Sequence, residues 1–269
     1  MATSYASPAT IAAAAMPLAS QPDRAAAFFD LDGTLAPIVE RPEDSRVPQR
    51  TRELVERIGR RYRIAGVISG RRALDARRIM GLEALSYVGN HGFEQLAPGA
   101  RQAAPSSAIS GEHAAPEFAS GIDPERLREA GLRVEDKGPI IALHWRGATD
   151  PDAAESAASA IEAEAAQSGL FTHRGRMVLE LRPAVAIDKG VALRAMLAAQ
   201  PIESAFYAGD DRTDADAFRA LGEFAAAGEL AYVLRVAVIS AETPPEVGEA
   251  ADLAVPGPDG FVAVLEALA

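Results

Sequence analysis

The chain has 269 residues, of which 48% are hydrophobic and 24% are charged, and its formal net charge is −11. This composition is typical of a globular protein with a sizeable core and argues against general disorder. The acidic balance argues against nonspecific binding to nucleic acid or to an anionic membrane. The lack of cysteine excludes disulfides, zinc–thiolate sites, iron–sulfur clusters and cysteine nucleophiles, and it fits, without proving, a cytoplasmic location.

The N-terminal segment 1–22 carries no charged residue and contains three prolines. Its apolar stretch 11–19 is too short to span a membrane, and no Lys or Arg precedes it, as a secretory signal or a transit peptide would require. We therefore predict a disordered, Ala-rich tail over 1–22, with an early helix as the alternative.

Hydrophobic periodicity and turn residues predict the elements that follow. In chain order they are a strand at 25–29, a helix at 48–61, a strand at 64–68, a helix at 71–80, a strand at 86–88, a loop or weak hairpin at 97–123, strands at 132–136 and 140–145, a helix at 151–168, a strand at 177–181, a helix at 188–199, a strand at 205–208, a helix at 213–222, strands at 232–239 and 252–255, and a helix at 260–268. Strands that alternate with helices at both ends predict right-handed crossovers and a parallel sheet. A hairpin around Lys137-Gly138 gives the middle a different character.

The predicted fold class is therefore α/β, with a Rossmann-like parallel-sheet core and an inserted α+β cap domain. The core consists of residues 23–94 and 185–269, and the cap is residues 95–184. Residues 1–22 are assigned to the tail.

Carboxylates are concentrated directly after two of the predicted core strands. Asp30-Leu31-Asp32-Gly33-Thr34 follows the strand at 25–29, and Gly209-Asp210-Asp211-Arg212-Thr213-Asp214 follows the strand at 205–208. Ligands of open α/β sheets bind at the carboxyl ends of the strands, and neighbouring carboxylates repel each other unless a cation binds them. Hard oxygen ligands indicate Mg²⁺. The alternatives are a solvated turn for the first motif and an acidic helix N-cap for the second.

Two further motifs point to an anion at the same edge. Ser69-Gly70-Arg71 ends the strand at 64–68, where a hydroxyl and helix N-terminal amides can hold a phosphate. Lys189 starts a predicted helix, where its charge opposes the helix dipole. A dianionic phosphate with nearby carboxylates would explain that lysine, whereas a plain surface lysine is the alternative.

The order and strand-end placement of these four motifs resemble the haloacid dehalogenase-like superfamily of hydrolases. The resemblance implies a role for each charged or hydroxyl residue of the motifs: Asp30 as the nucleophile, Asp32 as the general acid and base, Thr34 and Ser69 as holders of phosphoryl oxygens, Arg71 as a substrate contact, and Lys189 as the neutralising cation. It also implies that Mg²⁺ is held by Asp30, the Asp32 carbonyl and Asp210, with Asp211 or Asp214 in support. It also implies that the inserted cap selects the substrate.

Segments in both the core and the cap narrow the resemblance to the trehalose-6-phosphate phosphatases. The matching segments are FFDLDGTLAPIV, GVISGR, VGNHGFE, VEDKGPIIALHWR, VLELRP, DKG, GDDRTDADAF and DGFVAVLEAL. The disaccharide contacts that this resemblance implies are Glu135, Lys137, Arg146 and Glu180, and His91 is a further candidate near the core site. Glu135 and Lys137, two apart on a strand, share one face of it, and the alternative is an exposed, salt-bridged sheet face.

Some positions are assigned no role in the chemistry or depart from the family pattern. His113 and His173 are predicted to lie at the surface and Trp145 to pack in the hairpin. Ala215 replaces an acidic residue usual in the last motif, and the segment 97–121 matches poorly.

The expected function is Mg²⁺-dependent hydrolysis of trehalose 6-phosphate through an aspartyl-phosphate. Alternatives are a phosphatase for another sugar phosphate, such as sucrose phosphate or a mannosyl-phosphoglycerate, a mutase, or a non-catalytic binding module. The four charged groups of the core motifs are all present, which argues against the binding module. The expected partner is the small-molecule substrate, with no nucleic acid and no membrane, and we take a cytoplasmic monomer as the expectation although no motif determines the oligomeric state.

Overall fold

The structure, a computed structural model, describes residues 5–106, 113–175, 177–184 and 187–269. The elements in chain order are α1 (Pro8–Ala19), β1 (Ala25–Phe29), α2 (Gln49–Arg61), β2 (Ile64–Ile68), α3 (Ala73–Met80), β3 (Ser86–Gly89), β4 (Glu94–Leu96), β5 (Ala104–Pro105), α4 (Ala114–Ser120), α5 (Pro124–Glu129), β6 (Arg133–Asp136), β7 (Ile141–His144), α6 (Pro151–Gln167), β8 (Phe171–Gly175), β9 (Val178–Arg182), α7 (Lys189–Ala198), β10 (Ser204–Gly209), α8 (Arg212–Ala226), β11 (Tyr232–Ile239), α9 (Pro245–Ala250), β12 (Leu253–Pro256) and α10 (Gly257–Leu268). They form two compact units, the first Met1–Ala104 with Ile187–Ala269 and the second Pro105–Ala186.

The first unit is built on one sheet with the strand order β12-β11-β10-β1-β2-β3-β4-β5. The strands from β12 to β3 pair in parallel, and β4 pairs antiparallel to β3. The predicted α/β class with a parallel core sheet is confirmed. Since β1 lies between β10 and β2, the chain segments that leave these three strands meet at one edge of the sheet.

The burial of β1 follows from its sequence, Ala-Ala-Ala-Phe-Phe, which has no polar side chain. Alternate residues face opposite sides, so that Phe29 packs in one apolar cluster and Phe28 in the other. On the Phe29 side the rings of Phe206 and Phe261 lie 5.6 and 6.3 Å from the Phe29 ring, centroid to centroid. A strand covered on both faces is the arrangement expected for a parallel sheet between two helical layers.

The N-terminal segment is helical, so the prediction of a disordered tail over 1–22 is wrong for residues 8–19. Ser7 caps α1 by accepting the Thr10 N–H at 3.2 Å. Ile11, Ala15 and Leu18 fall on one helical stripe and are buried. α1 packs against α10, which explains why an uncharged, Ala-rich segment folds. No helix within the described ranges is long and apolar enough to cross a membrane.

The sheet of the first unit extends past the predicted boundary of the cap at residue 95. Glu94–Leu96 pairs with β3, and β5 follows as the edge strand. The second unit therefore begins after residue 104.

The second unit contains a four-stranded antiparallel sheet in the order β6-β7-β9-β8. The predicted hairpin is confirmed, since β6 pairs with β7 across the turn at Lys137-Gly138. Helix α4 occupies part of the region at 97–123 predicted as a loop or weak hairpin, and α5 follows this region. Residues 107–112 lie outside the described residues. Strand β8 was not predicted. The buried Trp145 and the exposed His113 and His173 lie as expected.

One face of this second sheet packs against a helix and the other is polar. Leu143, Leu179 and Leu181 share a buried cluster with Ile161 of α6. The register pairs Ala142 of β7 with a residue on each neighbouring strand, Glu135 on β6 and Glu180 on β9. The two glutamates therefore lie on the same face, on either side of a small residue.

Candidate active site

The loop after β1 starts the site in the first unit. Asp30 is 5% exposed, and its backbone N–H donates to the Ala208 carbonyl at 2.9 Å. Gly33 then turns the chain with φ of +89°, in the left-handed region. The turn directs the buried Thr34 toward the neighbouring loop, where its Oγ1 donates to Asp210 Oδ1 at 3.1 Å.

Gly33 is required by space as well as by conformation. A Cβ built at this position would lie 2.0 Å from Asp210 Oδ2. No side chain fits there unless Asp210 moves. The glycine therefore lets the loops after β1 and β10 lie in direct contact.

Lys189 is the buried cation of this cluster. It is the first residue of α7, capped by Asp188, whose Oδ1 accepts the Val191 N–H at 2.8 Å. Its Nζ donates at 2.7 Å to both Asp30 and Asp214, and the side chain is 1% exposed. A helix-initiating lysine in this position is held by the carboxylates it faces, which outweigh its unfavourable position at the helix N-terminus.

Asp214 supports the cluster with both of its oxygens engaged. Oδ1 accepts from Lys189 Nζ and, at 2.6 Å, from the Tyr207 hydroxyl. Oδ2 accepts the backbone N–H groups of Asp210 and Asp211, each at 3.0 Å. Asp30, Asp210 and Asp214 each offer a carboxylate oxygen, and these three oxygens lie within 4.8 Å of one another. Four donors already occupy the oxygens of Asp214. Asp214 is therefore better placed to hold Lys189 and the loop after β10 than to bind a metal itself.

The cluster holds more negative charge than one lysine balances. Burial raises the pKa of Asp30; Lys189 opposes this, while Asp214 and Asp210 add to it. Burial and Asp214 raise the pKa of Asp210 to about 7. Burial works to lower the pKa of Lys189, but the carboxylates of Asp214 and Asp30 outweigh it and raise that pKa. The arrangement favours binding a further cation.

A divalent cation fits the donor set that remains. Asp30 and Asp210 each bind a protein donor through Oδ1, from Lys189 and Thr34 respectively. Among the described residues, no hydrogen-bond donor contacts Oδ2 of either carboxylate. Carboxylate oxygens in an electronegative cluster match the preference of Mg²⁺. The ligand role of the Asp32 carbonyl stays a prediction.

Asp32 lies beside this cluster in a more exposed setting. Its side chain is 31% exposed and forms a two-point ion pair with Arg71, whose Nη2 donates to Oδ1 at 2.8 Å and whose Nε donates to Oδ2 at 2.5 Å. Ser45 Oγ donates to Oδ1 at 2.9 Å. The hydrogen bond with Asp32 raises the pKa of Arg71, while partial burial opposes this. Arg71, predicted as a substrate contact, thus contacts Asp32.

The loop after β2 is held by the turn at residues 90–92. Ser69 is buried, and its Oγ accepts the Arg71 N–H at 3.2 Å. The backbone N–H of Asn90 donates to the Arg71 carbonyl at 2.8 Å, and that of His91 donates to the Ser69 carbonyl at 3.0 Å. The His91 ring lies against Gly70, where a Cβ would approach it to 2.7 Å. His91 therefore contacts the Ser69 loop.

Glu94 fixes the helix that follows this loop. Its Oε1 accepts the Ala73 N–H, in the first turn of α3, at 2.6 Å, and the residue is 6% exposed. Burial raises the pKa of Glu94. Gly89 is needed beside it, because a Cβ there would lie 2.2 Å from the Ala73 nitrogen. A carboxylate at a helix N-terminus stabilises that end of the helix.

In the second unit, three of the predicted sugar contacts come together on the polar face of the sheet. Lys137 Nζ donates to Glu180 Oε1 at 3.1 Å and lies 3.9 Å from Glu135 Oε2. Arg182 binds the other oxygen of Glu180, with Nη2 to Oε2 at 2.5 Å. His144 Nε2 lies 2.8 Å from Glu135 Oε2.

The predicted residues thus form two groups, one in each unit. Arg146 is exposed and follows the end of β7, and the pairs just described do not include it. Among the described residues that contact these groups, Ser45, Glu94, Tyr207, His144 and Arg182 were not predicted as site residues. Arg182 stands in the quoted segment VLELRP and Glu94 in VGNHGFE, whereas Ser45 and Tyr207 belong to no polar motif that could have identified them.

Comparison with known proteins gives consistent matches for this chain. The family model described as trehalose-phosphatase matches residues 28–250. An uncharacterised glycosyl hydrolase of Mycobacterium tuberculosis is 37% identical over 210 residues, which are 74% of this chain and 15% of that protein. A trehalose-phosphate phosphatase of Mycobacterium marinum is 33% identical over 204 residues, which are 74% of this chain and 52% of that protein.

The chain therefore spans about half the length of that phosphatase and a much smaller part of the glycosyl hydrolase. Among solved structures, a trehalose-6-phosphate phosphatase related protein is 26% identical with a TM-score of 0.64, and the match covers 90% of this chain and 95% of that one.

Proposed function

Because the chain belongs to the trehalose-phosphatase family, we propose that it hydrolyses trehalose 6-phosphate to trehalose and phosphate. The single observation that carries the proposal is the buried Lys189 bound at 2.7 Å to Asp30. This pair places a nucleophile and a positive charge in one pocket of carboxylates, as phosphoryl transfer to a carboxylate requires. A cytoplasmic location and a monomeric state stay predictions from the sequence.

Asp30 is the proposed nucleophile. A carboxylate oxygen of Asp30 attacks phosphorus, and the bond between phosphorus and the sugar oxygen breaks. Asp32 gives its proton to the departing sugar oxygen, and then accepts a proton from the water that attacks the aspartyl-phosphate. Thr34 and Ser69 are proposed to hold phosphoryl oxygens, and Lys189 to offset the negative charge of the nucleophile and the phosphoryl group.

The residues that would hold Mg²⁺ are Asp30, Asp210 and the Asp32 carbonyl, with Asp214 behind them as support. When bound, this ion neutralises negative charge on the phosphoryl oxygens. The excess of carboxylates over the one buried lysine supports this assignment. Ala215 carries no carboxylate for this site, and Asp214 already holds both Lys189 and the loop backbone.

The polar face of the second unit is proposed to bind the sugar. Sugar hydroxyls are recognised by charged groups that make several hydrogen bonds. Lys137 joins Glu180 and Glu135 into one group of donors and acceptors, which supports their joint role. Arg146 and His91 remain proposed substrate contacts.

Phosphate release from a panel of esters tests the function. The panel contains trehalose 6-phosphate, sucrose 6-phosphate, glucose 6-phosphate and an aryl phosphate, each with Mg²⁺ and with EDTA. We expect strong, Mg²⁺-dependent preference for trehalose 6-phosphate. A preference for another sugar phosphate would keep the core chemistry and reject the sugar assignments, whereas no release from any ester would reject the proposal.

The ion pair between Arg182 and Glu180 predicts a pH-dependent KM. Burial works to raise the pKa of Glu180, but Arg182 and Lys137 outweigh it and hold that pKa below its usual range. The Glu180 carboxylate is therefore ionised throughout the neutral range. In Arg182→Met only Lys137 opposes the burial, so that Glu180 takes up a proton at higher pH. The KM for trehalose 6-phosphate should then rise several-fold between about pH 7.5 and about pH 5.5, while the wild-type KM stays flat.

A matched control uses Arg174, which also binds glutamates of the second unit, Glu155 and Glu162. Arg174→Met should leave the pH profile of KM unchanged. In the wild-type protein, the depressed pKa of Glu180 contributes to the free energy of unfolding. This contribution is lost as the pH falls through that pKa. A flat KM in Arg182→Met would show that Arg182 does not act through the charge of Glu180.

A further inference from the structure

Asp32, the proposed general acid and base, has hydrogen-bond donors at both of its carboxylate oxygens. Arg71 donates one hydrogen bond to each oxygen in a two-point ion pair, and Ser45 donates a third hydrogen bond. Asp32 and Arg71 are partly exposed, with 31% and 21% of their side chains accessible, so substrate can reach them. Ser45 is completely buried.

Both donors are themselves fixed by the fold. Arg71 Nη1 donates to the Pro42 carbonyl at 2.9 Å, and the Arg71 backbone N–H donates to Ser69 Oγ. The backbone N–H of Ser45 donates to the same Pro42 carbonyl at 3.4 Å. The short turn at residues 42–45 thus contacts both Arg71 and Asp32, and the three side chains of Asp32, Arg71 and Ser45 form a closed group, here called the Asp32 clamp.

We propose that Arg71 and Ser45 are positioning residues that act on catalysis through Asp32. This rests on the proposed function, in which Asp32 protonates the leaving sugar oxygen. A carboxyl group can turn about its terminal bond, and the two-point grip of a guanidinium fixes its plane.

This role predicts a dependence on the leaving group. An alkoxide such as a sugar oxygen needs a proton as it departs, whereas a dinitrophenolate departs without one. Replacing a residue that acts through Asp32 should therefore lower kcat/KM for alkyl phosphates and change it little for dinitrophenyl phosphate. A residue that binds the phosphoryl group directly matters equally for both.

The experiment compares kcat/KM, which reports the steps up to phosphoryl transfer, for trehalose 6-phosphate and 2,4-dinitrophenyl phosphate. We expect Arg71→Met to lower the value for the sugar phosphate by about 10- to 100-fold and that for the aryl ester by less than about threefold. Added to Asp32→Asn, the same change should cost less than about twofold, because its effect is already lost. Ser45→Ala should show the same pattern with a smaller loss.

Two further variants are controls for misfolding and for nonspecific charge effects. Arg71→Lys retains the charge but not the planar two-point contact, and should recover part of the sugar-phosphate activity. Arg78→Met removes an exposed arginine of α3, whose partner is Asp75, and should change neither substrate. Thermal unfolding measured on each variant identifies any loss of fold.

The outcomes separate the two proposals. Equal losses on both esters, with costs that add to Asp32→Asn, would overturn the clamp and assign Arg71 to the phosphoryl group. A wild-type protein that hydrolyses neither ester would overturn the proposed function, and the clamp with it.

Discussion

Replacing Asp30 with Asn should lower turnover of every phosphate ester by at least about 10³-fold, with the fold retained. The amide cannot attack phosphorus, whereas its oxygen can still accept the hydrogen bond from Lys189. Burial and the neighbouring carboxylates raise the pKa of Asp30, so that a neutral side chain relieves repulsion in the cluster. The temperature of unfolding should therefore stay the same or rise.

Covalent labelling makes this prediction specific to the nucleophile. Asp32→Asn slows hydrolysis of the aspartyl-phosphate, so acid-quenched protein of this variant should carry phosphate from 2,4-dinitrophenyl phosphate, whose leaving group departs without a proton. Asp30→Asn should carry none. Asp23→Asn, a change of the same kind at an exposed position, should retain wild-type turnover. Label on the Asp30→Asn protein, or its turnover near the wild-type rate, would assign the nucleophile elsewhere.

Gly33→Ala should reduce kcat/KM by about 100-fold or more, because a methyl group cannot share the space of Asp210. The Cβ would lie 2.0 Å from Asp210 Oδ2, and the carboxylate must move away from Thr34 to make room. A positive φ adds about 1–2 kcal/mol of strain for alanine. Both the charge cluster and the proposed metal ligand would be displaced.

Gly228→Ala is the matched control for this effect. Gly228 also has a positive φ, +71°, but nothing lies within 4 Å of a Cβ built there. This variant should lose about 1–2 kcal/mol in free energy of unfolding and no activity. Denaturant unfolding together with kcat/KM separates strain from displacement. If Gly33→Ala were as active as Gly228→Ala, the space at Gly33 would have no catalytic importance.

Much of the candidate site at the edge of the core sheet could be predicted, because the sequence signals for it are local. Asp30, Ser69 and Asp210 each follow an apolar strand directly, and parallel strands bring their carboxyl ends together. The parallel core sheet and the antiparallel hairpin follow from the same periodicity. What each polar group binds is not local. Whether Asp214 binds a metal or supports the site depends on Tyr207, which lies in an apolar strand and looks like a core residue in the sequence.

The remaining differences have similar causes. Helix α1 has no charge pattern, and its burial depends on α10, at the far end of the chain. Ser45 belongs to no motif, since only the tertiary fold brings its hydroxyl to Asp32. Glu135 and Glu180 could be paired from a resemblance, but the register through Ala142 that puts them on one face comes from the structure.

The division of the first unit has a consequence for the order of folding during synthesis. Asp30 and Lys189 are 159 positions apart, and the whole of the second unit, which is continuous in sequence, lies between them. A ribosome therefore completes the second unit before it makes Lys189, which binds Asp30. We expect the second unit to fold first, because β1 cannot pair with β10 until β10 has been synthesised. The cluster around Asp30 is thus assembled late, and the nascent chain holds the proposed nucleophile without its buried countercharge until then.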